Sequence, residues 1–264
     1  MSKNGVIFDI VMSYPLLSKT KAKELHSLKS KKERDRLGLF LAEGSKCVID
    51  LLNYFQPEYL IVTKEWELKH KELAEKFKDK IFIGDKRVFE IISSLNSLPD
   101  VIAVLKKREP EKDKISVKED SLYLLLDEIQ DPGNLGTIIR TCDWFGIYDI
   151  FASRNTVDAY SPKVVQATMG SLGRVRVTYV DLKDLITKNR NIQLIGALLK
   201  GKPLLEIGKI SSGFILMGNE GRGISDDLKL LVDLPLTILP ANMANHPDSL
   251  NVAVSTAIII SHIK

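Results

Sequence analysis

Short apolar runs alternate with longer stretches of mixed polarity along most of this chain. Such runs predict strands, and stretches with apolar residues spaced three or four apart predict helices. In the first part of the chain the predicted strands are 39–42, 59–62, 80–83 and 102–105, and the predicted helices are 45–53, capped by Ser45, 65–77, which follows Thr63, and 87–94. This alternation predicts a small α/β domain.

A polar segment at 110–120, opened by Pro110, is typical of a linker. The continuous apolar run that follows, 122–126, suits a parallel strand buried on both faces. Further strands are predicted at 149–152, 176–179, 193–197, 214–217 and 236–239, with helices at 135–145, 162–172, 181–188 and 225–232. We therefore predict an α/β fold in three parts: a smaller α/β domain at 1–109, the linker 110–120, and an α/β domain with a mostly parallel sheet at 121–264.

The last segment, 250–263, allows two assignments. Its valines and isoleucines favour a strand. Its length favours a helix, as do the preceding Asp248 and Ser249, which are good N-cap residues. We predict a helix. It would be apolar on most of its circumference, so it would need packing partners on several sides, within one subunit or across two.

Composition narrows the class of protein. The 264 residues are 44% hydrophobic and 27% charged, as in a soluble globular protein. Cys47 and Cys142 are far apart and belong to no CxxC pair, and the four histidines form no HxxxH pair or Cys/His cluster. We expect a reduced protein without a metal site. With no signal-peptide pattern and no apolar run of roughly 20 residues, we expect it in the cytoplasm and not in a membrane.

The net charge of +4 is mild, but it is unevenly distributed. Residues 1–109 contain 21 Lys and Arg against 16 Asp and Glu, whereas residues 110–264 contain 17 against 18. The excess is concentrated in 19–36. Such a cluster is either a solvated helix face or a surface that attracts phosphates.

Three motifs occupy the second half of the chain. The first is NLGTIIR at 134–140, the second is GNEGRG at 218–223, and the third begins with LP at 239–240 and ends with DSLNVAVS at 248–255. Taken singly, they allow a plain turn opening a helix that Asn134 can cap, a plain loop that is neither Walker nor GxGxxG, and a helix cap at Ser249. Taken together and in this order, they resemble the three motifs of the SpoU (TrmH-type) RNA ribose 2'-O-methyltransferases.

The resemblance implies a deep trefoil knot at 122–264, S-adenosylmethionine as methyl donor without a metal, and a homodimer formed through the C-terminal domain. The sequence FLAEG at 40–44, after a basic helix, is similar to the ribosomal-protein-like substrate-binding domain of many SpoU enzymes. It implies structured RNA as substrate, ribosomal RNA first. The alternatives are a tRNA ribose methyltransferase, a non-catalytic RNA-binding protein of the same fold, and an ordinary nucleotide-binding protein, whose expected glycine-rich motif is absent.

The resemblance also implies the site residues. Arg140 would be catalytic, either as a base or as an electrostatic clamp on the developing alkoxide, because guanidinium ordinarily stays protonated. The other members of the catalytic centre would be Asn134, Glu220, Ser249 and Asn251. The donor pocket would be lined by Gly218, Asn219, Gly221, Leu239 and Leu250. From the basic cluster at 19–36, taken together with the three motifs, we predict Lys29, Lys31, Lys32 and Arg34 as RNA-binding residues. The stretch 241–247 departs from the family pattern, with Met243 where glycine is expected, and it alone supports the non-catalytic alternative.

Overall fold

The computed structural model describes residues 14–108, 117–242 and 244–264. Met243 and residues 110–116 of the predicted linker lie outside the described residues. The described chain forms two α/β domains around two separate sheets. The domain boundaries at 109 and 121 stay a prediction.

The N-terminal domain is a four-stranded mixed sheet with helices on its faces. Its elements are α1 (Lys19–His26), α2 (Lys31–Leu37), β1 (Leu39–Glu43), α3 (Ser45–Leu51), β2 (Pro57–Val62), α4 (Lys64–Lys69), α5 (Lys71–Lys76), β3 (Ile81–Ile83), α6 (Lys86–Ile92) and β4 (Val101–Lys106). The strand order is β1-β4-β2-β3, and β2 and β3 are the parallel pair. Each strand coincides with a predicted apolar run within two residues.

Two helix predictions in this domain are wrong in detail. Gly44, not Ser45, is the N-cap of α3, because the Ser45 hydroxyl instead donates to Asp100 Oδ2 at 2.7 Å and accepts from the Trp66 indole at 2.7 Å. The predicted helix 65–77 is two helices, separated at His70, whose φ of −121° and ψ of 45° are not helical. Thr63 does cap α4 by accepting a hydrogen bond from the Trp66 amide.

The C-terminal domain is built on a six-stranded sheet. Its elements are β5 (Leu122–Leu126), α7 (Pro132–Phe145), β6 (Asp149–Ser153), α8 (Pro162–Thr168), β7 (Arg176–Val180), α9 (Leu182–Lys188), β8 (Leu194–Pro203), β9 (Gly213–Met217), α10 (Asp226–Lys229), β10 (Leu234–Thr237) and α11 (Val252–Ile263). The strand order is β10-β8-β9-β5-β6-β7, and all five pairings are parallel. The mostly parallel sheet is therefore confirmed, whereas the trefoil knot stays a prediction.

This sheet is covered on both faces, which explains its continuous apolar strands. Alternate residues of β5 point to opposite sides: Leu124 and Leu126 pack in the core that contains α7, α8 and α11, and Leu125 packs in the core that contains α9 and α10. The final segment is a helix, as predicted; Asn251 caps its start, and the helix packs against α7.

Helix ends in this domain correct three predictions. Asp131 caps α7 by accepting from the Asn134 amide at 2.8 Å, so Asn134 is not the cap. Asn251 caps α11, not Asp248 or Ser249, because the Asn251 side chain accepts from the first free amides of the helix. The helix predicted at 162–172 ends at Thr168, because Met169 adopts a left-handed backbone with φ 51°.

The two domains meet along a surface that we call the domain seam, formed by Arg34, Phe40, Asp50 and Phe55 on one side and Asp158, Tyr160 and Arg174 on the other. Its centre is an ion pair in which Arg34 donates to Asp158 Oδ2 at 2.6 and 2.9 Å. Arg174 donates to Asp50 at 3.2 Å, and Tyr160 packs on the ring of Phe40 with centroids 4.8 Å apart. The seam places α2 beside the loop that follows β6.

Candidate active site

The carboxyl ends of the parallel strands meet at one edge of the sheet, which is where open α/β sheets bind ligands. Leu126 of β5 pairs in register with Met217 of β9 and with Ala152 of β6. The motif-2 loop, residues 218–223, follows β9 at this edge, and the first motif follows β5. The third segment follows β10, two strands away from β9.

A short chain of side-chain hydrogen bonds joins the three motifs. The side-chain NH₂ group of Asn134 donates to Glu220 Oε1 at 2.8 Å. The side-chain NH₂ group of Asn251 donates to Asn134 Oδ1 at 2.9 Å. Asn134 and Glu220 are 86 residues apart in the chain, and Asn134 and Asn251 are 117 apart. Three predicted catalytic residues therefore lie in direct contact, and we call this chain the asparagine network.

Local sequence explains how Asn134 and Asn251 reach this position. Asp131 and Pro132 start α7 with a side-chain cap and a proline in the first turn, so Asn134 projects from the helix start. The side-chain oxygen of Asn251 accepts hydrogen bonds from the backbone amides of Ala253 and Val254. Its NH₂ group is therefore free to donate to Asn134. Each asparagine is thus oriented by a helix terminus.

The motif-2 loop is a tight hairpin braced from inside. Asn219 and Gly223 exchange backbone hydrogen bonds of 3.0 and 2.9 Å. The Asn219 side-chain oxygen accepts from the amides of Gly221 and Arg222. A Cβ on Gly218 would lie 2.2 Å from the Gly223 carbonyl carbon, so only glycine fits there. Asn219, predicted to bind the cofactor, uses its side chain within the protein.

Arg140 lies apart from the asparagine network. It is exposed on α7, and its side chain makes no hydrogen bond or ion pair with any other described residue. It lies six positions after Asn134 on the helix, so its side chain is turned about 240° around the helix axis from that of Asn134. It shares its exposed stripe with Thr137 and Trp144. The guanidinium is therefore available to a ligand or a partner molecule.

The third segment presents apolar and polar groups at the surface. Leu239 is 51% exposed and Leu250 is 48% exposed. Ser249 is exposed and makes no hydrogen bond with the described residues, so it is not a helix cap. Two half-exposed leucines beside a ligand-binding edge offer the apolar contact that an aromatic base requires.

Sequence reasoning missed two acidic residues at the end of β5. Asp127 is buried, and its Oδ2 accepts from the Ser225 amide at 2.8 Å, which ties β5 to the chain after motif 2. Glu128 accepts from Asn155 at 2.8 Å and from Arg222 at 2.5 Å. Their signal in the sequence was the acidic pair that directly follows a buried strand.

The structure divides the predicted RNA-binding cluster. Lys31 and Lys32 are exposed, and the Lys29 amine donates to the Ser93 carbonyl at 2.7 Å. Arg34 is only 2% exposed and is committed to Asp158 and to the carbonyls of Leu28 and Lys29. The structure therefore does not favour Arg34 as an RNA contact, because its charge is already paired within the seam.

The described residues meet the requirements of neither a metal site nor a membrane-spanning helix. Across residues 14–108, 117–242 and 244–264, no three His, Cys, Asp or Glu side chains are grouped so as to hold a metal ion. The described helices are all too short or too polar to cross a bilayer.

Comparison with known proteins gives each of the two domains the assignment that its sequence motifs indicate. Residues 121–261 match the SpoU rRNA Methylase family, and residues 19–103 match the MRM3-like substrate binding domain. The chain is 30% identical to the 23S rRNA (guanosine(2553)-2'-O)-methyltransferase of Bacillus subtilis over 247 residues, 92% of this chain and 96% of that protein. It is 27% identical over 259 residues to the 23S rRNA (uridine(2479)-2'-O)-methyltransferase of Streptomyces viridochromogenes, covering 90% and 86% of the two chains.

A solved structure is similar over nearly the whole molecule. The AdoMet-bound rRNA methyltransferase from Sinorhizobium meliloti superposes with a TM-score of 0.80 at 30% identity, covering 93% of this chain and 94% of that one. The family match, the relatives and the contact among the three motifs agree with the predicted resemblance. The chain belongs to the SpoU rRNA methylase family.

Proposed function

We propose that this protein transfers a methyl group from S-adenosylmethionine to a ribose 2'-hydroxyl in ribosomal RNA. The observation that carries the proposal is the asparagine network, which joins Asn134, Glu220 and Asn251 from three distant motifs at the ligand-binding edge. The relatives named for 23S rRNA 2'-O-methylation, which match this chain along most of its length, favour ribosomal RNA over tRNA.

The residues at this edge fit the donor. S-adenosylmethionine supplies a methyl group on a positively charged sulfur, and its adenine requires an apolar cleft. The half-exposed side chains of Leu239 and Leu250 supply apolar surface. Gly218 lets the motif-2 loop close on itself, and the exposed Gly221 has no side chain to cover its backbone. Asn219 supports donor binding from within the loop by holding its shape.

Catalysis would depend mainly on orientation, because the reaction needs no metal and no covalent enzyme intermediate. Asn134, Glu220 and Asn251 hold one another in place, and Ser249 presents a free hydroxyl beside them in the chain. Arg140 has no carboxylate partner among the described residues, so its full charge is available to a phosphate or to the developing alkoxide. A pH–rate profile distinguishes the clamp from the base, since only a base loses activity as it is protonated.

The N-terminal domain would hold the RNA close to this edge. Lys31 lies over the ring of Tyr179, 5.9 Å from its centroid. Tyr179 is in register with Ala152, and Ala152 shares a row with Leu126 and Met217, the residue before the motif-2 loop. Three strand spacings separate the ends of that row, about 14 Å. Lys29, Lys31 and Lys32 would thus contact phosphates within a few nucleotides of the target ribose.

The homodimer is supported by exposed apolar side chains on two neighbouring helices. Trp144 on α7 is 85% exposed, and Val254 and Ile258 of α11 are also exposed. Because α7 and α11 pack on each other, these side chains lie on one side of the C-terminal domain. Burying them against a second copy would place Arg140, on the same stripe as Trp144, beside the partner. The knot and the cytoplasmic location also stay predictions.

The decisive experiment uses the purified full chain, S-adenosylmethionine with a labelled methyl group, and RNA from cells that lack the protein. We expect label in ribosomal RNA as a ribose 2'-O-methyl group, and none in tRNA. Label in tRNA alone would establish the tRNA alternative. Failure to bind S-adenosylmethionine in calorimetry would establish the non-catalytic RNA-binding alternative. Mapping 2'-O-methyl sites in cells with and without the protein identifies the nucleotide.

A further inference from the structure

Glu128 is the residue at which the ligand-binding edge departs from ordinary backbone geometry. It lies two residues beyond the end of β5, and its φ is 56°. An L side chain in this left-handed region crowds the following carbonyl, whereas glycine does not. Steric preference alone would therefore favour glycine at this position, and an unfavourable backbone of this kind persists where the surroundings hold it, often at functional sites.

The Glu128 side chain and backbone connect three loops. One carboxylate oxygen accepts from the side-chain NH₂ group of Asn155 at 2.8 Å, and the other accepts from the Arg222 guanidinium at 2.5 Å. The Glu128 amide donates to Ser153 Oγ at 2.8 Å, and its carbonyl accepts from the Asn219 side chain at 2.8 Å. Two of these four contacts reach the motif-2 loop, at Asn219 and at Arg222.

Stability alone does not account for a glutamate here. The Arg222 side chain is 68% exposed, and exposed ion pairs contribute little to the free energy of folding. The backbone contacts of Glu128 would remain with glycine, and only the carboxylate contacts would be lost. The specific contribution of the carboxylate is therefore geometric: it fixes the end of the loop at Arg222, while Glu220 in the same loop bonds to Asn134.

We propose that Glu128 is a positioning residue for the methyl donor. Its carboxylate holds Arg222 and thereby fixes the motif-2 loop in the conformation that receives S-adenosylmethionine and keeps Glu220 on Asn134. The inference rests on the proposed function, because it names what supports the donor-binding loop of that same site. The charge of Arg222 is neutralised in this arrangement, so its role is to anchor the loop and not to bind phosphate.

The test is Glu128→Gly, which keeps the left-handed backbone and removes the carboxylate. We expect a melting temperature within about 3 °C of the wild type, since only an exposed ion pair is lost. We expect the Kd for S-adenosylmethionine to rise about tenfold, in the range found for coupled contacting residues. The Kd for ribosomal RNA should stay unchanged. Glu128→Gln, which keeps one acceptor, should show a smaller rise in the donor Kd.

Met169→Gly is the matched control. Met169 is the other non-glycine residue with positive φ among the described residues, and it caps the far end of α8 without contacting the motif-2 loop. Relieving its backbone conformation should leave the donor Kd unchanged. Arg222→Ala should reproduce the effect of Glu128→Gly, and the double variant should be no worse than either single variant, because both remove the same contact.

The outcomes separate this inference from the proposed function. A wild-type protein that neither binds S-adenosylmethionine nor methylates ribosomal RNA overturns the proposed function. An active wild type whose Glu128→Gly variant binds the donor equally tightly overturns the role of Glu128. Additive effects of Glu128→Gly and Arg222→Ala would overturn it as well. If Glu128→Gly unfolds, Glu128→Gln and Arg222→Ala give the same comparison, because each weakens or removes the contact between Glu128 and Arg222.

Discussion

The domain seam and the ligand-binding edge use the same kinds of side chain in opposite ways. At the seam, Arg34 is buried and both of its charged contacts are made within the chain. On α7, the helix that begins at that edge, Arg140 is exposed and its side chain has no partner among the described residues. A paired buried charge holds two elements together, whereas an unpaired exposed charge is available to a ligand. Neighbouring residues indicate the opposite, because Arg34 follows the charged Lys32 and Glu33, whereas Arg140 follows the apolar Ile138 and Ile139.

The largest expected effect comes from breaking the seam. Arg34→Met leaves the Asp158 carboxylate buried and unpaired, which should lower the free energy of unfolding by about 3–5 kcal/mol. Chemical denaturation measures this loss. Lys32→Met is the matched control, since it removes an exposed charge from the same helix and should change stability by less than about 0.5 kcal/mol. A stable Arg34→Met variant would contradict the assignment of Arg34 to the seam.

Removing the exposed Arg140 side chain should have the opposite effect, a loss of activity with little loss of stability. Arg140→Ala should reduce methyl transfer by about 10²–10³-fold, as expected for a group that stabilises developing charge. Its melting temperature should stay near that of the wild type, because the side chain is exposed. Its donor Kd should also stay unchanged, because the proposed role of Arg140 is on the acceptor side. Single-turnover rates with ribosomal RNA measure the loss. Turnover near that of the wild type would remove Arg140 from the mechanism.

The asparagine network lies between these extremes, because it has a structural and a catalytic component. Asn251→Ala removes the N-cap of α11 and should cost about 1 kcal/mol of stability. Its turnover should fall by more than tenfold, beyond what that loss explains, and Glu220→Ala should behave similarly. Asp85→Ala, which removes the N-cap of α6 in the other domain, is the control with equal loss of stability and unchanged turnover. Equal turnover in all three would make the network structural.

The exposed lysines should have a smaller effect that depends on salt. Replacing Lys31 and Lys32 by alanine should weaken RNA binding and reduce the slope of log K against log salt by about 1.4, since each phosphate contact contributes about 0.7 for a single strand. Donor affinity should not change. Lys69 on α4 and Lys71 on α5 are also exposed, and replacing them by alanine is the control. An unchanged slope would show that the cluster is only a solvated face.

The smallest expected effect tests whether the domain seam is closed. Cys47 is buried there, with its thiol 3.9 Å from the Val165 carbonyl, and burial raises the pKa of the thiol to about 12. The native protein should therefore react slowly with a thiol reagent at pH 8, and Arg34→Met should react faster as the seam opens. Because the pKa of the folded thiol is raised, its contribution to stability is lost as the pH rises from about 9 towards 12. Rapid labelling of the wild type would contradict a closed seam.

Local pattern was enough to locate most of the secondary structure. Each strand of the described chain overlaps a predicted apolar run, because a strand buried in a sheet must be apolar over its own few residues. The predictions failed where a side chain had a distant partner. Ser45 was expected to cap a helix, but Asp100 and Trp66 bond its hydroxyl instead. Asn134 likewise does not cap α7, because its side chain bonds to Glu220 and Asn251. The cap of α11 differs for a local reason: Asn251, directly before the first helical residue, bonds the free amides itself.

The sequence by itself determined the strands, the order of the motifs and the family, because each depends on residues that are neighbours in the chain. It also named three residues that the structure brings into contact, Asn134, Glu220 and Asn251. Only the tertiary structure decided which charges are available and which backbone is strained. Asp158, the partner of Arg34, lies 124 residues away, and the left-handed Glu128 is held by contacts with Asn155 and Arg222. Such pairings depend on how two domains and three loops pack, and no window of neighbouring residues contains that information.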